Sequence, residues 1–209
     1  TMWKLKPKEG IRTPWHRSRL VGQKLPLTQQ QVWAVRMRLE AAHRGRDLAL
    51  FNLAIDSKLR ACDLLKLQVA DVATAGTVGS RASILQQKTG RPVRFELTPR
   101  TRESTRTWIA AAGLQTGDYL FPSRIRSSLH LSTRQYARIV QGWITSISLE
   151  PGSYGTHTLR RTKATLIYRS TKNLRAVQLL LGHSKLDSTV RYLGIEIDDA
   201  LEMSEQLDI

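Results

Sequence analysis

The segment LLLGHSKLDSTVRY, residues 179–192, combines a helical pattern with chemically distinctive side chains. Gly182 indicates a helix stop after the leucine run, which places His183 on the turn that follows. Tyr192 comes nine residues later. A lone histidine after a glycine is usually a cap, and a lone tyrosine is usually a half-buried packing residue. The segment therefore predicts two helices joined by a turn. A functional role for His183 and Tyr192 would require further reactive residues elsewhere in the chain.

A second distinctive segment is HTLRRT, residues 157–162. His157, Arg160 and Arg161 stand at positions i, i+3 and i+4, so a helix over about 157–169 puts all three on one face. Three cationic or protonatable side chains do not gather on one face to build a hydrophobic core. On this motif alone, an ordinary solvated basic face is the alternative to a functional cluster.

A third segment has the pattern of a β-hairpin. Apolar and polar residues alternate through 91–97, and a first strand is expected over 83–87. Gly90 supplies the permissive turn position between them. The pattern therefore predicts a hairpin with Lys88 at or near its tip.

The rest of the chain is predicted to be helical. Thr28 is the expected N-cap of a first helix, and the apolar run after Asp47 predicts a buried second helix. The expected helices cover about 28–42, 47–56, a short segment after Arg60, 100–112, 132–148, 157–169, 173–181 and 187–191. The predicted fold class is one mainly α domain with a small antiparallel β-sheet, that is, α+β.

The 209 residues carry a strong excess of positive charge. Lysine and arginine number 33 against 17 acidic residues, a formal net charge of +16. Six of the acidic residues lie in residues 196–209, which contain no lysine or arginine. Such a basic surplus on a folded domain predicts a polyanionic partner, most often nucleic acid.

Composition also argues against several classes of protein. No stretch approaches the roughly 20 apolar residues of a membrane helix, and the N-terminus lacks the apolar region of a secretory signal. The single cysteine, Cys62, excludes an intrachain disulfide. The five histidines have no metal-binding spacing, and no GxxxxGK[ST] phosphate loop is present. We therefore expect a cytoplasmic protein with no metal and no cofactor.

Taken together, and in their order along the chain, the motifs resemble the catalytic domain of the tyrosine site-specific recombinases, the phage integrase family, over about residues 26–195. The segment DSKLRACDL, residues 56–64, is similar to the first box of the family, whose arginine would be Arg60. Lys58 stands where the family usually has glycine, and Asp63 where glutamate is commoner. The other matched positions are Lys88, His157, Arg160, His183 and Tyr192.

The resemblance implies a reaction that conserves phosphoester energy. Tyr192 would attack the scissile phosphorus, which gives a 3′-phosphotyrosyl link and a free 5′-hydroxyl. His157 would accept the phenol proton, and Arg60 and Arg160 would stabilise charge on the non-bridging oxygens. The remaining implied roles are a further phosphate donor (His183), a proton donor to the 5′-oxygen (Lys88) and a salt-bridge support for which an ordinary helix acid is the alternative (Asp63).

The expected organisation has three parts. Residues 1–25 are interpreted as a basic arm or linker, 26–195 as the catalytic domain, and 196–209 as an acidic amphipathic segment. That last segment would dock on a neighbouring protomer or pack in cis. The resemblance implies double-stranded DNA as the partner, a homotetramer on two DNA sites, and accessory DNA-bending proteins. Phosphate contacts are assigned to Arg161 and Lys163 first, and then to Arg124, Arg126, Arg134 and Arg138.

The function so predicted is site-specific DNA recombination by a mobile-element enzyme: integration, excision or inversion. The resemblance leads us to expect either a catalytic fragment without an N-terminal clamp domain or a single-domain recombinase of the kind that inverts small DNA segments. Two alternatives stay open. A type IB topoisomerase-like enzyme would relax plasmid that lacks any recombination site. A non-catalytic DNA-binding regulator on the same fold would bind DNA identically after Tyr192→Phe.

Overall fold

The computed structural model describes residues 23–124 and 128–195. The α-helices within these ranges are α1 Gln29–Ala41, α2 Gly45–Ser57, α3 Ala61–Leu64, α4 Val69–Val72, α5 Pro99–Ala112, α6 Thr133–Ser146, α7 Thr156–Thr171, α8 Leu174–Leu181 and α9 Leu186–Leu193. The strands are β1 Ala73–Thr74, β2 Thr77–Val78, β3 Arg81–Leu85 and β4 Pro92–Glu96, and a 3₁₀ turn covers Pro151–Ser153. The predicted fold class, mainly helical with small antiparallel sheets, is confirmed.

Helix α2 forms the centre of the main hydrophobic core. All its residues from Ala49 to Ser57 are buried, as its apolar run predicts, and it packs against α1, α5 and α7. Helix α1 begins at the expected N-cap, where the Thr28 side chain accepts a hydrogen bond from the Gln31 N–H and the Gln31 side chain accepts one from Thr28. This reciprocal capping box fixes the point at which the chain enters the domain.

Strands β3 and β4 form the predicted antiparallel hairpin, with Ser83 opposite Arg94 and Leu85 opposite Pro92. Val93 and Phe95 are buried on one face, in agreement with the alternation in the sequence. Strand β3 lies two residues earlier than the predicted 83–87, because Gln86 and Gln87 already belong to the turn, and β4 is one residue shorter at each end than the predicted 91–97. A second, two-residue hairpin, β1–β2, was not predicted from the sequence.

Helices α7, α8 and α9 enclose a separate small apolar cluster. Ala164, Tyr168, Val177 and Leu181 are its buried members, and Tyr192 packs against it. Helix α8 ends at Gly182, whose φ of +66° lies in the left-handed region. A Cβ on this glycine would lie 2.6 Å from Val93 Cγ2, so a larger residue would collide with the hairpin. The glycine therefore allows the turn that carries His183 to pack closely against β4.

The basic arm and the acidic segment predicted at the two ends fall largely outside the described residues: 1–22 and 196–209 are not described. Among the described helices, no segment is both long and apolar enough to cross a membrane. The same part of the chain contains no group of three or more His, Cys, Asp or Glu side chains placed to hold a metal ion.

Candidate active site

Arg160 lies on the second turn of α7, and its guanidinium is held by two main-chain carbonyls. Nη1 donates to the Lys58 carbonyl over 2.7 Å, and Nη2 donates to the Leu181 carbonyl over 2.8 Å. The residue is only 3% exposed. Burial lowers the pKa of Arg160, although a guanidinium remains charged throughout the physiological range. Both anchors are neutral oxygens, so the positive charge of Arg160 is kept.

Arg60 is held in the same manner by the hairpin. It immediately precedes α3 and is half-buried, and its Nη1 donates to Gln86 Oε1 over 2.8 Å. No carboxylate within the described chain forms an ion pair with Arg60 or Arg160. The remaining guanidinium N–H groups are the kind of donors that bind phosphate oxygens bidentately.

His183 lies beside Arg160 on the turn after α8. Its Nδ1 is 3.1 Å from Thr189 Oγ1, and its Nε2 is 3.5 Å from Arg160 Nη2. Burial, reinforced by the charges of Arg160 and Arg60, lowers the pKa of His183 to about 4. The ring is therefore neutral at pH 7. Because arginine can only donate, the neutral ring faces Arg160 with the Nε2 lone pair and carries its proton on Nδ1, towards Thr189.

Tyr192 lies on the last turn of α9 with its ring against these groups. The ring is edge-to-face with His183, with a centroid separation of 5.4 Å. The guanidinium carbons of Arg160 and Arg161 are 5.9 Å and 5.4 Å from its centroid. The hydroxyl is buried and makes no hydrogen bond of good geometry among the described residues, although the guanidinium of Arg160 lies near enough to interact with it. Burial raises the pKa of Tyr192 to about 12, against the opposing charges of the arginines, so the phenol is protonated.

His157 occupies the first turn of α7, one helical turn before Arg160. It is partly exposed to solvent and makes no hydrogen bond to the part of the chain that the structure describes. Partial burial and the charges of Arg160, Arg60 and Arg161 lower the pKa of His157. The imidazole is therefore biased towards the neutral form, which is the form able to accept a proton.

Lys88 lies on the turn of the hairpin, and Asp63 lies on α3, which is hydrogen-bonded to that turn. Lys88 is exposed on the turn, two residues after the buried Gln86. Asp63 is 3% exposed, and its Oδ1 accepts a hydrogen bond from the Gln87 N–H over 3.0 Å. The predicted salt bridge from Asp63 is not formed to any described residue. The carboxylate instead holds the hairpin turn that carries Lys88.

Arg161 and Lys163, the first choices for phosphate contacts, have internal partners. Arg161 is 5% exposed, stacks on the Tyr192 ring and donates to the Lys24 carbonyl over 2.8 Å. Lys163 Nζ lies 2.6 Å from Asp56 Oδ1 and 2.7 Å from Glu96 Oε1. The two carboxylate partners of Lys163 argue against a phosphate contact for that residue. Arg161 is held by a neutral carbonyl, as Arg160 is, and its phosphate contact stays a prediction.

The contacts of Lys58 show how a lysine is accommodated where the family usually has glycine. Its φ of +54° lies in the left-handed region, where glycine is the usual residue. The fully buried ammonium donates to the Asp56 carbonyl and to both carboxylate oxygens of Glu96. These bonds offset the conformational cost, and the Lys58 carbonyl remains free to hold Arg160. Burial lowers the pKa of Lys58, while the charge of Glu96 opposes the shift.

Other predicted phosphate contacts meet in a surface groove of about 1180 Å³. Arg134 and Arg138, near the start of α6, line this groove together with Arg124. Further arginines reach it from α1, from the connection to α2 and from the first turn of α2: Arg38, Arg44 and Arg46. Sequence patterns do not group these two sets of arginines, because the sets are about 90 residues apart. Arg126 lies outside the described residues.

Residues that sequence reasoning missed include Gln86, Thr189 and Gln23. Thr189 is fully buried against His183. Gln23 Nε2 donates to the carbonyls of Arg191 and Tyr192, so the chain entering the domain holds the last turn of α9. Gln23 and Gln86 belong to none of the catalytic motifs, and their polar roles depend on contacts with segments that are distant in sequence. Thr189 lies within the segment 179–192, but only the folding of α9 against the turn brings its hydroxyl to His183.

Fold and site together define an α+β domain in which a tyrosine packs against two guanidiniums and an imidazole. The sequence model of the phage integrase family matches residues 26–196. The probable integrase/recombinase YoeC of Bacillus subtilis (strain 168) is 33% identical over 153 residues, covering 73% of this chain and 80% of YoeC. A tyrosine recombinase of Pseudothermotoga lettingae is 32% identical over 189 residues, covering 90% of this chain and 62% of the relative.

Among solved structures, the integrase of the Tn1549 transposon, in complex with transposon right end DNA, superposes with a TM-score of 0.66. It is 15% identical, and the match covers 89% of this chain and 66% of that chain. This similarity shows a shared fold. The family and relative matches show that the chain belongs to the phage integrase family, and the relatives matched here bear the names of recombinases and integrases.

Proposed function

We propose that this protein is a site-specific DNA recombinase of a mobile element, which cleaves and rejoins strands through a 3′-phosphotyrosyl intermediate on Tyr192. The observation that carries the proposal is the packing of the Tyr192 ring against His183 and the two guanidiniums of Arg160 and Arg161. The names of the relatives support the reaction class.

Cleavage is an in-line exchange at phosphorus. The Tyr192 oxygen forms a bond to the scissile phosphorus while the bond to the 5′-oxygen breaks. The phenol proton passes to His157, and Lys88 supplies a proton to the departing 5′-oxygen. The number of phosphoester bonds is unchanged, so rejoining is the same step in reverse, with a 5′-hydroxyl as the nucleophile.

The two arginines stabilise the transition state. Negative charge accumulates on the non-bridging oxygens, where Arg60 and Arg160 can each donate two hydrogen bonds. Their anchors are neutral carbonyl and amide oxygens, so no internal carboxylate competes with the phosphate. His183 becomes a third donor when Nε2 carries a proton. A bound phosphate favours that state, either by protonation of the ring or by transfer of its proton from Nδ1 to Nε2.

The proposed partner is double-stranded DNA. The groove that contains Arg124, Arg134 and Arg138 supports a second contact region, which tracks the phosphate backbone. The Tn1549 integrase was solved with DNA, which supports the same partner for this fold. We place the protein in the cytoplasm at the nucleoid. Assembly as a homotetramer on two DNA sites, accessory bending proteins, a basic arm over 1–25 and a docking role for 196–209 complete the proposal.

The two rival functions are less well supported. A topoisomerase-like enzyme would have the same site, but the matched relatives are recombinases and integrases. A non-catalytic regulator would have no use for two buried or half-buried arginines held without counterions beside a tyrosine. Relaxation of plasmid that lacks a recombination site distinguishes the first rival, and an unchanged phenotype of Tyr192→Phe distinguishes the second.

Covalent trapping tests the proposal. The full chain is incubated, without metal or ATP, with nicked duplexes that tile the DNA flanking its gene, and the products are resolved on a denaturing gel. We expect a protein–DNA adduct that Tyr192→Phe abolishes. Tyr154→Phe, at another partly buried tyrosine, is the matched control and keeps the adduct. An adduct that survives Tyr192→Phe, or tight binding with no adduct on any duplex, would refute the proposed chemistry.

A further inference from the structure

We propose that Gln86 is a positioning residue that connects Arg60, the Lys88 turn and the main chain before His183 through one buried amide. The inference rests on the proposed function, because it assigns a role within the same reaction. None of the motifs that define the site includes this residue.

The Gln86 side chain bonds to three separate segments. Its Oε1 accepts from Arg60 Nη1 over 2.8 Å and from Thr89 Oγ1 over 3.0 Å. Its Nε2 lies 3.4 Å from the Leu181 carbonyl, the same oxygen to which Arg160 Nη2 donates. One amide therefore contacts the first arginine directly and the second through a shared carbonyl.

The main chain of Gln86 also closes the turn that carries Lys88. Its carbonyl accepts from the Gly90 N–H over 2.8 Å, and its N–H donates to the Arg91 carbonyl over 2.9 Å. Gln86 is 1% exposed. A Cβ on Gly182 would lie 3.3 Å from Gln86 Nε2, so the amide is packed against the turn leading to His183. The side chain has little freedom to adopt another rotamer.

The chemistry of an amide suits this position. The oxygen holds Arg60 without neutralising it, and the NH₂ group satisfies a buried carbonyl at the same time. A glutamate would have no donor for Leu181 and would pair with Arg60, which would weaken its attraction for phosphate. A leucine would fill the volume but leave Arg60 without its anchor. Only a neutral group that both donates and accepts meets the two requirements.

The test compares Gln86→Leu and Gln86→Glu with Gln87→Leu, a control at the adjacent exposed glutamine of the same turn. We measure the single-turnover rate of adduct formation at saturating nicked DNA, and DNA affinity separately. We expect Gln86→Leu to lower the rate roughly 30-fold, since small misplacements of catalytic groups have effects of this order. DNA affinity should change less than about 3-fold, and Gln87→Leu should match the wild type. Gln86→Glu, which keeps the side-chain shape, should also be slow.

A double-mutant cycle shows whether the effect passes through Arg60. In an Arg60→Lys background the fork geometry is already lost, so Gln86→Leu should lower the rate less than about 3-fold further. A wild-type rate in both Gln86 variants, or the same 30-fold loss in the Arg60→Lys background, would overturn the inference. If Gln86→Leu fails to fold, the rate of Gln86→Glu decides. Absence of adduct from the wild type would instead refute the proposed function itself.

Discussion

Helix α7 presents two cationic side chains, three residues apart, to opposite electrostatic environments. Lys163 Nζ lies within 2.7 Å of carboxylate oxygens of both Asp56 and Glu96. Arg160 is more deeply buried, yet its hydrogen bonds go to the carbonyls of Lys58 and Leu181. The charge of Lys163 is balanced by two carboxylates, whereas the charge of Arg160 has no ion-pair partner among the described residues.

The difference separates structural charges from reactive ones. Paired charges such as Lys163 and Asp56 stabilise the packing of α2, α7 and β4 against one another. A cation without a carboxylate partner, such as Arg160, is available to bind an incoming anion strongly. Lys58 joins the two regions, because its ammonium belongs to the paired cluster and its carbonyl holds Arg160. A sharp test of this comparison perturbs one region and measures the other.

The largest effect is expected from Arg160→Lys. An ammonium retains the charge but cannot reach two carbonyls and two phosphate oxygens with one planar fork. The single-turnover rate of adduct formation should fall about 10²- to 10³-fold, which is typical for loss of one transition-state donor. Arg169→Lys, at an exposed position on the same helix, is the control and should retain the wild-type rate. A rate within 3-fold of the wild type in Arg160→Lys would show that charge alone suffices.

The reciprocal change is Asp56→Asn, in the paired cluster. Asp56 is 2% exposed and accepts hydrogen bonds from Lys163, Thr101 and the Thr98 N–H. Burial opposes its ionisation, but the hydrogen bond and charge of Lys163 together with the hydrogen bonds from Thr101 and Thr98 outweigh burial, so the pKa of Asp56 is lowered. The free energy of unfolding should fall by about 3 kcal/mol, because a partly buried ammonium loses a counterion.

Denaturant unfolding measures the stability of Asp56→Asn, and adduct formation well below its Tm measures the rate. We expect the rate to stay within about 3-fold of the wild type, because both anchors of Arg160 remain. Glu103→Gln, which breaks an exposed ion pair with Arg106, should leave the free energy of unfolding almost unchanged, because solvent screens exposed ion pairs. A large rate loss at full stability would mean that the two regions are not separable.

A smaller effect is expected in the pH dependence of the free energy of unfolding, and it arises from His183 beside Arg160. In the folded protein the pKa of His183 is lowered to about 4 from its ordinary value of 6.5. Between these values the unfolded chain binds more protons, so the free energy of unfolding decreases as pH falls through this window and is fully retained above it. The His183→Gln variant should show a shallower decrease from pH 6.5 to 4. Identical slopes in the variant and the wild type would show that the His183 pKa is not lowered.

Much of this arrangement could be predicted from local sequence. The 3.6-residue periodicity and the Thr28 cap locate the helices, and alternation over 91–97 locates β4. What local sequence could not reveal is how charges pair over long separations. Asp56 meets Lys163 across 107 positions, which is why Lys163 was assigned to phosphate contact. Asp63 was expected to form a salt bridge, whereas its partner is a main-chain N–H that side-chain identity does not encode.

The smallest predicted effect concerns the arginine groove. Arg134 and Arg138 line it near the start of α6. Unpaired cations that contact DNA phosphates release counterions, so each contact adds about one unit to the slope of log affinity against log salt. Arg134→Ala and Arg138→Ala should each reduce that slope by about 0.9. Arg106→Ala removes an equal charge that is already paired with Glu103 on α5, and it should leave the slope unchanged. Equal reductions in all three variants would mean that net charge governs DNA binding, and not the absence of an ion pair at Arg134 and Arg138 within the described chain.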